Sequence, residues 1–247
     1  MKIIGVIPAR YGATRFPGKP LADIHGKPMI WWVYQQAKKV AEFDEIYVAT
    51  DDERIKTACN EHYMCFIMTR NNHYTMSSRI HEVSEKIDAD VYVVVNGDEP
   101  LIDPNVISAV IPETLENFYA NNLMTAMNDP VEVIDVTNIK VVCGEDMNAL
   151  FMSRAPVPYP KATLDFKYFK HLGVVAYSKE ALEFYVSTPK GRNESIEDID
   201  YLRFIEHQKP FKMIEVISDS LSVDTPKDLE YVKQRFANFI VNGKIIV

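Results

Sequence analysis

The stretch from Ile3 to Pro20 constrains the fold most. Ile3, Ile4, Val6 and Ile7 form a short apolar, β-branched run around Gly5. Pro8, Gly12, Pro17, Gly18 and Pro20 follow, so the next segment cannot be helical. Such a run reads as a central strand of a parallel sheet, buried on both faces. The loop then leaves the strand's carboxyl end, which is where ligands bind in open α/β sheets. Arg10, Arg15 and Lys19 are spaced along that loop. Guanidinium forks, an ammonium point charge and nearby backbone N–H groups suit an oligophosphate. The plainer reading of the same residues is a solvated basic turn.

The first half of the chain repeats the alternation. Apolar residues recur at helical spacing from Pro28 to about Val40, and residues 46–50 read as a second strand. Asp51 and Asp52 then open a helix, where carboxylates suit the positive end of the dipole. Residues 64–68 read as a strand, 77–87 as a helix and 91–95 as a fully apolar strand. A right-handed βαβ series follows. From about residue 123 the pattern changes: 123–127, 139–142, 150–153 and 173–177 are strand-like, with little helix between them. A mixed region of that kind suits acceptor contacts or a dimer interface. Helices are expected at 179–185 and 199–207, a strand at 213–217, and a last helix from Pro226 to about Ile240. No repeat, low-complexity tract or linker interrupts the chain, so residues 1–247 are expected to form a single α/β domain.

Composition narrows the function. The net charge is −8 and no long basic run appears, which argues against nucleic acid as a main partner. An acidic protein that handles an anion must gather its cations locally, as residues 10–19 do. Cys59, Cys65 and Cys143 are odd in number and lack metal-type spacing, and they read as reduced thiols of a cytosolic protein. The opening apolar run stops at Pro8, too short for a signal peptide, and no run approaches the ~18 apolar residues of a membrane span. The expected location is cytoplasmic.

Two acidic segments stand out. Asn96-Gly97-Asp98-Glu99-Pro100 follows directly on an apolar strand, so Asp98 falls at the sheet's carboxyl edge beside the basic loop. Mg²⁺ is a hard cation held by one or two carboxylates plus phosphate oxygens and water, and Asp98 is the first candidate ligand. An Asp turn is the alternative. In Val223-Asp224-Thr225-Pro226-Lys227-Asp228-Leu229, the residues alone favour Asp224 as a helix N-cap. Residues 68–79 follow a strand and precede a helix, so their N–H groups can face a nucleotide base.

Residues 7–30, IPARYGATRFPGKPLADIHGKPMI, resemble the amino-terminal signature of the 3-deoxy-manno-octulosonate (Kdo) cytidylyltransferases. The resemblance runs in order from Ile3 to about Tyr231. It implies a three-layer nucleotide-diphospho-sugar transferase fold, Rossmann-like, with a mostly parallel central sheet and a strand-rich acceptor and dimer region at about 123–177. It implies that Arg10, Arg15 and Lys19 hold the triphosphate of CTP, with Pro8 and Ala9 beside them. The segments GDEP and VDTPKDL match the pattern in which Asp98 and Asp224 bind Mg²⁺; Glu99 and Asp228 read as structural. Thr69, His73 and Arg79 match residues that contact cytidine and close over the phosphates.

Several positions depart from the pattern. Ala13 stands where Ser is common, Met76 where the motif has Gly, and Ser78 where it has an acidic residue. Losing that Gly matters most, because Gly allows close backbone approach. On the acceptor side, SRAPVPYP and HLGV resemble family stretches, which makes Arg154 and His171 the implied carboxylate- and hydroxyl-binding groups. Asn96 replaces Gln, and Asp200-Tyr201 replaces Glu-Gln, which shifts the acceptor pocket.

The reaction implied is transfer of CMP from CTP to a Kdo-like sugar acid with release of pyrophosphate, for bacterial lipopolysaccharide synthesis. Arg10, Arg15, Lys19 and Asp98 would carry catalysis, in a homodimer. Another anionic acceptor is the alternative: 8-amino-Kdo, a nonulosonic acid, a phosphonate or a sulfonate. A non-catalytic nucleotide-binding protein is a third reading, and retention of Arg10, Arg15, Lys19, Asp98 and Asp224 argues against it.

Overall fold

The computed structural model describes residues 1–12, 16–114 and 116–241. In chain order the first half contains β1 (Ile3–Ala9), a 3-10 turn (Lys19–Leu21), β2 (Asp23–Ile24), β3 (Lys27–Pro28), α1 (Met29–Ala37), β4 (Glu45–Thr50), α2 (Glu53–Glu61), β5 (Phe66–Met68), α3 (Met76–Lys86), β6 (Val91–Val95) and α4 (Pro104–Ser108). The second half contains β7 (Ala120–Met127), α5 (Pro130–Ile134), β8 (Lys140–Cys143), β9 (Ala149–Ser153), β10 (Tyr168–Tyr177), α6 (Lys179–Ser187), α7 (Arg192–Glu197), α8 (Leu202–Glu206), β11 (Lys212–Glu215) and α9 (Pro226–Val241).

One main sheet runs in the order β11-β7-β10-β6-β1-β4-β5, with β8 and β9 attached at β10. β1 lies between β4 and β6, parallel to both, and β5 extends the parallel side. β10 is antiparallel to β6 and β7, while β11 is parallel to β7. The sheet is therefore mixed and mostly parallel along its central path.

Alternation along β1 and β6 explains the three layers. Ile3, Ile7, Val91, Val93 and Val95 face one apolar cluster with α1. Ile4, Val6, Tyr92 and Val94 face the other with α3 and α6. Successive side chains of a strand point to opposite faces, so a run buried on both sides shows no polar alternation. A third cluster seats α9 against α1 through Trp32, Leu229, Val232 and Phe236, with Val223 at its front end. That packing brings the 223–225 segment to the carboxyl edge of the sheet.

The helix expected over 199–207 is α8, and a further short helix, α7, precedes it. α7 ends at Asp198, whose left-handed conformation (φ 54°) breaks the helix before α8 begins. The strand-rich region also holds the short helix α5, started by Pro130 and capped by Asp129. Among the described residues no helix is long and apolar enough to cross a membrane.

Candidate active site

Two strand ends and one helix start meet at a cavity of about 230 Å³. The end of β1 and its loop supply Pro8, Ala9, Arg10 and Lys19; the start of α3 supplies Thr75, Met76 and Arg79; the end of β6 supplies Asn96, Gly97 and Asp98. Arg15 and Ala13 lie outside the described residues. Lys19 is aimed by the turn before it. Gly18 adopts φ 74°, open to glycine without strain, and its N–H donates to the Tyr11 carbonyl at 2.8 Å.

The Lys19 ammonium sits 3.0 Å from Asp98 Oδ2 and 3.5 Å from Asp224 Oδ1. Asp224 reaches this point because the Val223 N–H donates to the Asp98 carbonyl at 2.9 Å. Capping of α9 falls to other residues. The Thr225 hydroxyl accepts from the Asp228 N–H at 3.3 Å, and the Asp228 carboxylate accepts from the Thr225 N–H at 2.8 Å, a reciprocal capping box. Asp224 thus faces Lys19 while Thr225 and Asp228 start the helix.

Two carboxylates converging on one cation make a hard oxygen donor set, which is what Mg²⁺ takes together with phosphate oxygens and water. Among the described residues, no group of three or more His, Cys, Asp or Glu side chains is placed to hold a metal ion. The residues present fit a cation shared between protein and phosphates.

Arg79 is buried and donates to the Thr69 hydroxyl and, at 3.0 Å, to Asp51 Oδ2. Thr69 itself is held by a 2.8 Å bond from its N–H to the Thr50 carbonyl. Arg79 therefore ties α3 to the ends of β4 and β5. His73 faces a neighbouring hollow instead, with Nε2 2.5 Å from Glu82 Oε2 and Nδ1 3.1 Å from the Ser78 hydroxyl. Burial opposes ionisation of Glu82, but hydrogen bonds from Lys86, His73 and Arg70 outweigh it and hold the carboxyl below the usual range.

The residues that the resemblance implies for the acceptor form a second group joined to the first at two points. Asn96 donates its N–H to the Gly173 carbonyl at 2.8 Å, and its side chain lies flat on Gly173. A Cβ at residue 173 would fall 2.5 Å from Asn96 Nδ2, so only glycine fits beneath it. The Asp200 carboxylate accepts from the Met76 amide; burial and nearby Glu194 push its carboxyl up to about 6. Tyr201 is buried, stacked 5.0 Å from the Phe211 ring, with His171 edge-on at 5.6 Å. Arg154 donates to the carbonyls of Glu197 (2.7 Å), Asp198 (3.1 Å) and Val136 (3.1 Å), an arrangement that suits a cation at the end of α7.

Burial pushes the His171 imidazole down to about 4, against the hydrogen bond to the Leu172 carbonyl and with Arg154 and Lys170 adding repulsion. A carbonyl only accepts, so the neutral ring carries its proton on Nδ1 and leaves Nε2 as an acceptor for a hydroxyl. The folded value lies below the ordinary 6.5. The stability His171 contributes is therefore present above pH 6.5 and lost as pH falls through about 4. An NMR titration should find its midpoint near 4; a midpoint at the ordinary 6.5 would mean a solvated ring.

A family model described as cytidylyltransferase matches residues 4–215. The chain belongs to this family. It is 39% identical to the 3-deoxy-manno-octulosonate cytidylyltransferase of Solibacter usitatus, over 98% of this chain and 97% of that one. It is also 39% identical to the 8-amino-3,8-dideoxy-manno-octulosonate cytidylyltransferase of Shewanella sp. strain ANA-3, over 96% of this chain and 99% of that one. Among solved structures it matches a CMP:2-keto-3-deoxy-manno-octonic acid synthetase complexed with CTP, at TM-score 0.89 and 37% identity, covering 96% and 99% of the two chains. A 4-diphosphocytidyl-2C-methyl-D-erythritol synthase from Anaerococcus prevotii shares the fold, at TM-score 0.64 and 16% identity.

Around the cavity of this cytidylyltransferase, some residues escaped the sequence reading. Thr75 lines it as the N-cap of α3, and Asp51 fixes Arg79. Asp51 carried the signal that marked Asp98, a carboxylate just past a strand, but reads equally well as the start of a helix. Nothing local marks Glu82, since its partners come from the 70–73 loop and its own helix.

Proposed function

We propose that this cytidylyltransferase transfers CMP from CTP to a Kdo-like sugar acid and releases pyrophosphate, as a cytoplasmic step in making bacterial lipopolysaccharide. The observation that carries the reading is the Lys19 ammonium held between Asp98 and Asp224 in a cavity that Arg10 and Arg79 also line. The acceptor hydroxyl attacks the α-phosphorus in line. A new P–O bond forms, the bond to the β-phosphate oxygen breaks, and pyrophosphate leaves as the hydroxyl proton is lost. Arg10 and Lys19 neutralise the leaving charge, with Arg15 as a further cation of the same loop. Thr69 and Arg79 fix the segment that borders the base. This is catalysis by positioning and charge, with no covalent enzyme intermediate. Asp98 and Asp224 are the residues that would hold Mg²⁺, which when bound supplies charge neutralisation at the phosphates.

The acceptor is the finer question. The two relatives are named for unmodified and 8-amino acids at equal identity to this chain. Asn96 and Asp200 are each one methylene shorter than Gln and Glu, and Tyr201 places a ring in the wall. Unpaired buried polar groups cost on the order of 1–3 kcal/mol each, so a shifted pocket should disfavour unmodified Kdo. The test is pyrophosphate release with CTP, Mg²⁺ and a panel of acids: Kdo, its 8-amino analogue, nonulosonic acids, phosphonates and sulfonates. The expected result is turnover with a Kdo-like acid and a higher kcat/KM for a modified one. Kdo best by about tenfold would make the substitutions tolerated variation. No release with any acid would leave the non-catalytic reading.

The same reading includes a two-fold homodimer formed through residues 123–177. Val131, Ile134, Leu150, Tyr159 and Leu164 are exposed apolar side chains there, as an interface requires. Light scattering should give twice the 28.3 kDa chain mass, and a monomer at micromolar concentration would sink the assignment.

A further inference from the structure

Outside the cavity, one exposed side chain holds the base of the phosphate loop. The Arg54 guanidinium of α2 stacks on the Tyr11 ring, 3.2 Å from its centroid. Asp52 fixes that guanidinium from behind, accepting from Nε at 2.9 Å and Nη2 at 2.6 Å, while it also caps α2 through the Arg54 N–H at 2.9 Å. Gly18 also packs close to the ring. A Cβ there would lie 3.1–3.2 Å from the Tyr11 ring and hydroxyl, so the turn is closed tightly on the aromatic. The Tyr11 carbonyl accepts from the Gly18 N–H at 2.8 Å and closes the loop between them.

Arg10 precedes Tyr11 and Lys19 follows Gly18, so two of the cations at the cavity are bonded directly to the two residues of this clamp. We propose that Arg54 is a positioning residue for nucleotide binding, acting through Tyr11 and Gly18 to hold Arg10 and Lys19 at the spacing the triphosphate meets. The inference rests on the assignment of CTP to this cavity. A guanidinium held flat by a bidentate carboxylate keeps its stacking face presented to the ring, so the clamp costs little ordering of its own. Arg54 itself does not border the cavity, and its side chain is 59% exposed, so its removal leaves the apolar layers untouched.

The test is calorimetric titration of CTP with Mg²⁺ and no acceptor present, on the whole chain and on Arg54→Met, Arg54→Lys, Tyr11→Leu and Tyr11→Phe. Arg54→Met and Tyr11→Leu should each weaken CTP binding by about threefold to tenfold, the span of a partly exposed cation–π contact. Their double variant should lose no more than the larger single one, because both remove one contact. Tyr11→Phe should bind as the parent does, since the ring face is what matters, and Arg54→Lys should recover part of the loss. KM for the acceptor at saturating CTP should not move, whereas general loosening of the fold would raise both. Unchanged CTP affinity in Arg54→Met, or full additivity in the double variant, overturns the clamp. A parent chain that binds no CTP overturns the nucleotide assignment instead.

Discussion

Asp98→Asn should lower kcat by about a hundredfold to a thousandfold, the scale seen when one preorganised electrostatic contact is removed from a transition state. Asp224→Asn should do the same to a smaller degree. Asp98 lies closer to the shared cation than Asp224, at 3.0 Å against 3.5 Å, and its side chain is the less exposed, 22% against 30%. A carboxylate nearer the charge and more shielded from water acts in a lower effective dielectric, so its loss is felt more. Asn keeps the shape and one acceptor oxygen but removes the negative charge. The two carboxylates are proposed to share one Mg²⁺, so both variants should also need more Mg²⁺ for half-maximal rate. Circular dichroism should be unchanged, because neither side chain belongs to an apolar cluster. Turnover near that of the parent for either variant at ordinary Mg²⁺ would remove that residue from the metal site.

The strands that organise this site were legible because burial on both faces leaves a plain chemical trace. β1 and β6 are apolar runs, each followed by a stretch rich in Gly and Pro that no helix tolerates, and the loops after them carry Lys19 and Asp98. Asp52 as the cap of α2 was legible for the same local reason. The short helix α7 was not, because six residues are too few to show a helical period. It ends at Asp198 in a left-handed conformation, where an Asp gives no such stop signal as Gly would. From the residues alone Asp224 read as the helix N-cap, which it is not. Thr225 and Asp228 carry the capping box, and the adjacent carboxylate acquires another partner only once Val223 is pinned to Asp98.

The wall proposed for the acceptor was the least legible part, for a tertiary reason. Tyr201 reads in the sequence as a substitution at a polar position, whereas its ring completes an apolar stack with Phe211. The role of Met76 is also set at a distance. Its side chain borders the cavity and packs on the cluster that contains Tyr201, while its amide is taken by Asp200. The bond between Asp200 and the Met76 amide has no local sequence rule, because it joins residues more than a hundred positions apart.

The largest stability effect should come from the pair that holds this wall. Glu194 is buried, and its carboxylate takes both Arg203 Nη2 at 2.6 Å and Nε at 2.8 Å. Arg203 also donates to the Tyr185 and Thr188 carbonyls and lies 4.0 Å from the centre of the Tyr185 ring. It thereby joins α6 to α7 and α8, the two helices that flank Asp200. Removing one partner of a buried pair leaves the other charge uncompensated, which costs about 3–5 kcal/mol. Glu194→Ala should therefore lower Tm by on the order of ten degrees in a chain of this size. The double change Glu194→Leu with Arg203→Met should recover most of that loss, since apolar side chains of similar volume often replace a buried pair at little cost. The same variants separate stability from chemistry. Because the cavity proposed for the nucleotide is lined by other elements, KM for CTP should hold in the double variant while KM for the acceptor rises. A Tm drop of under about 1 kcal/mol equivalent in Glu194→Ala would place the pair among surface ion pairs of small effect.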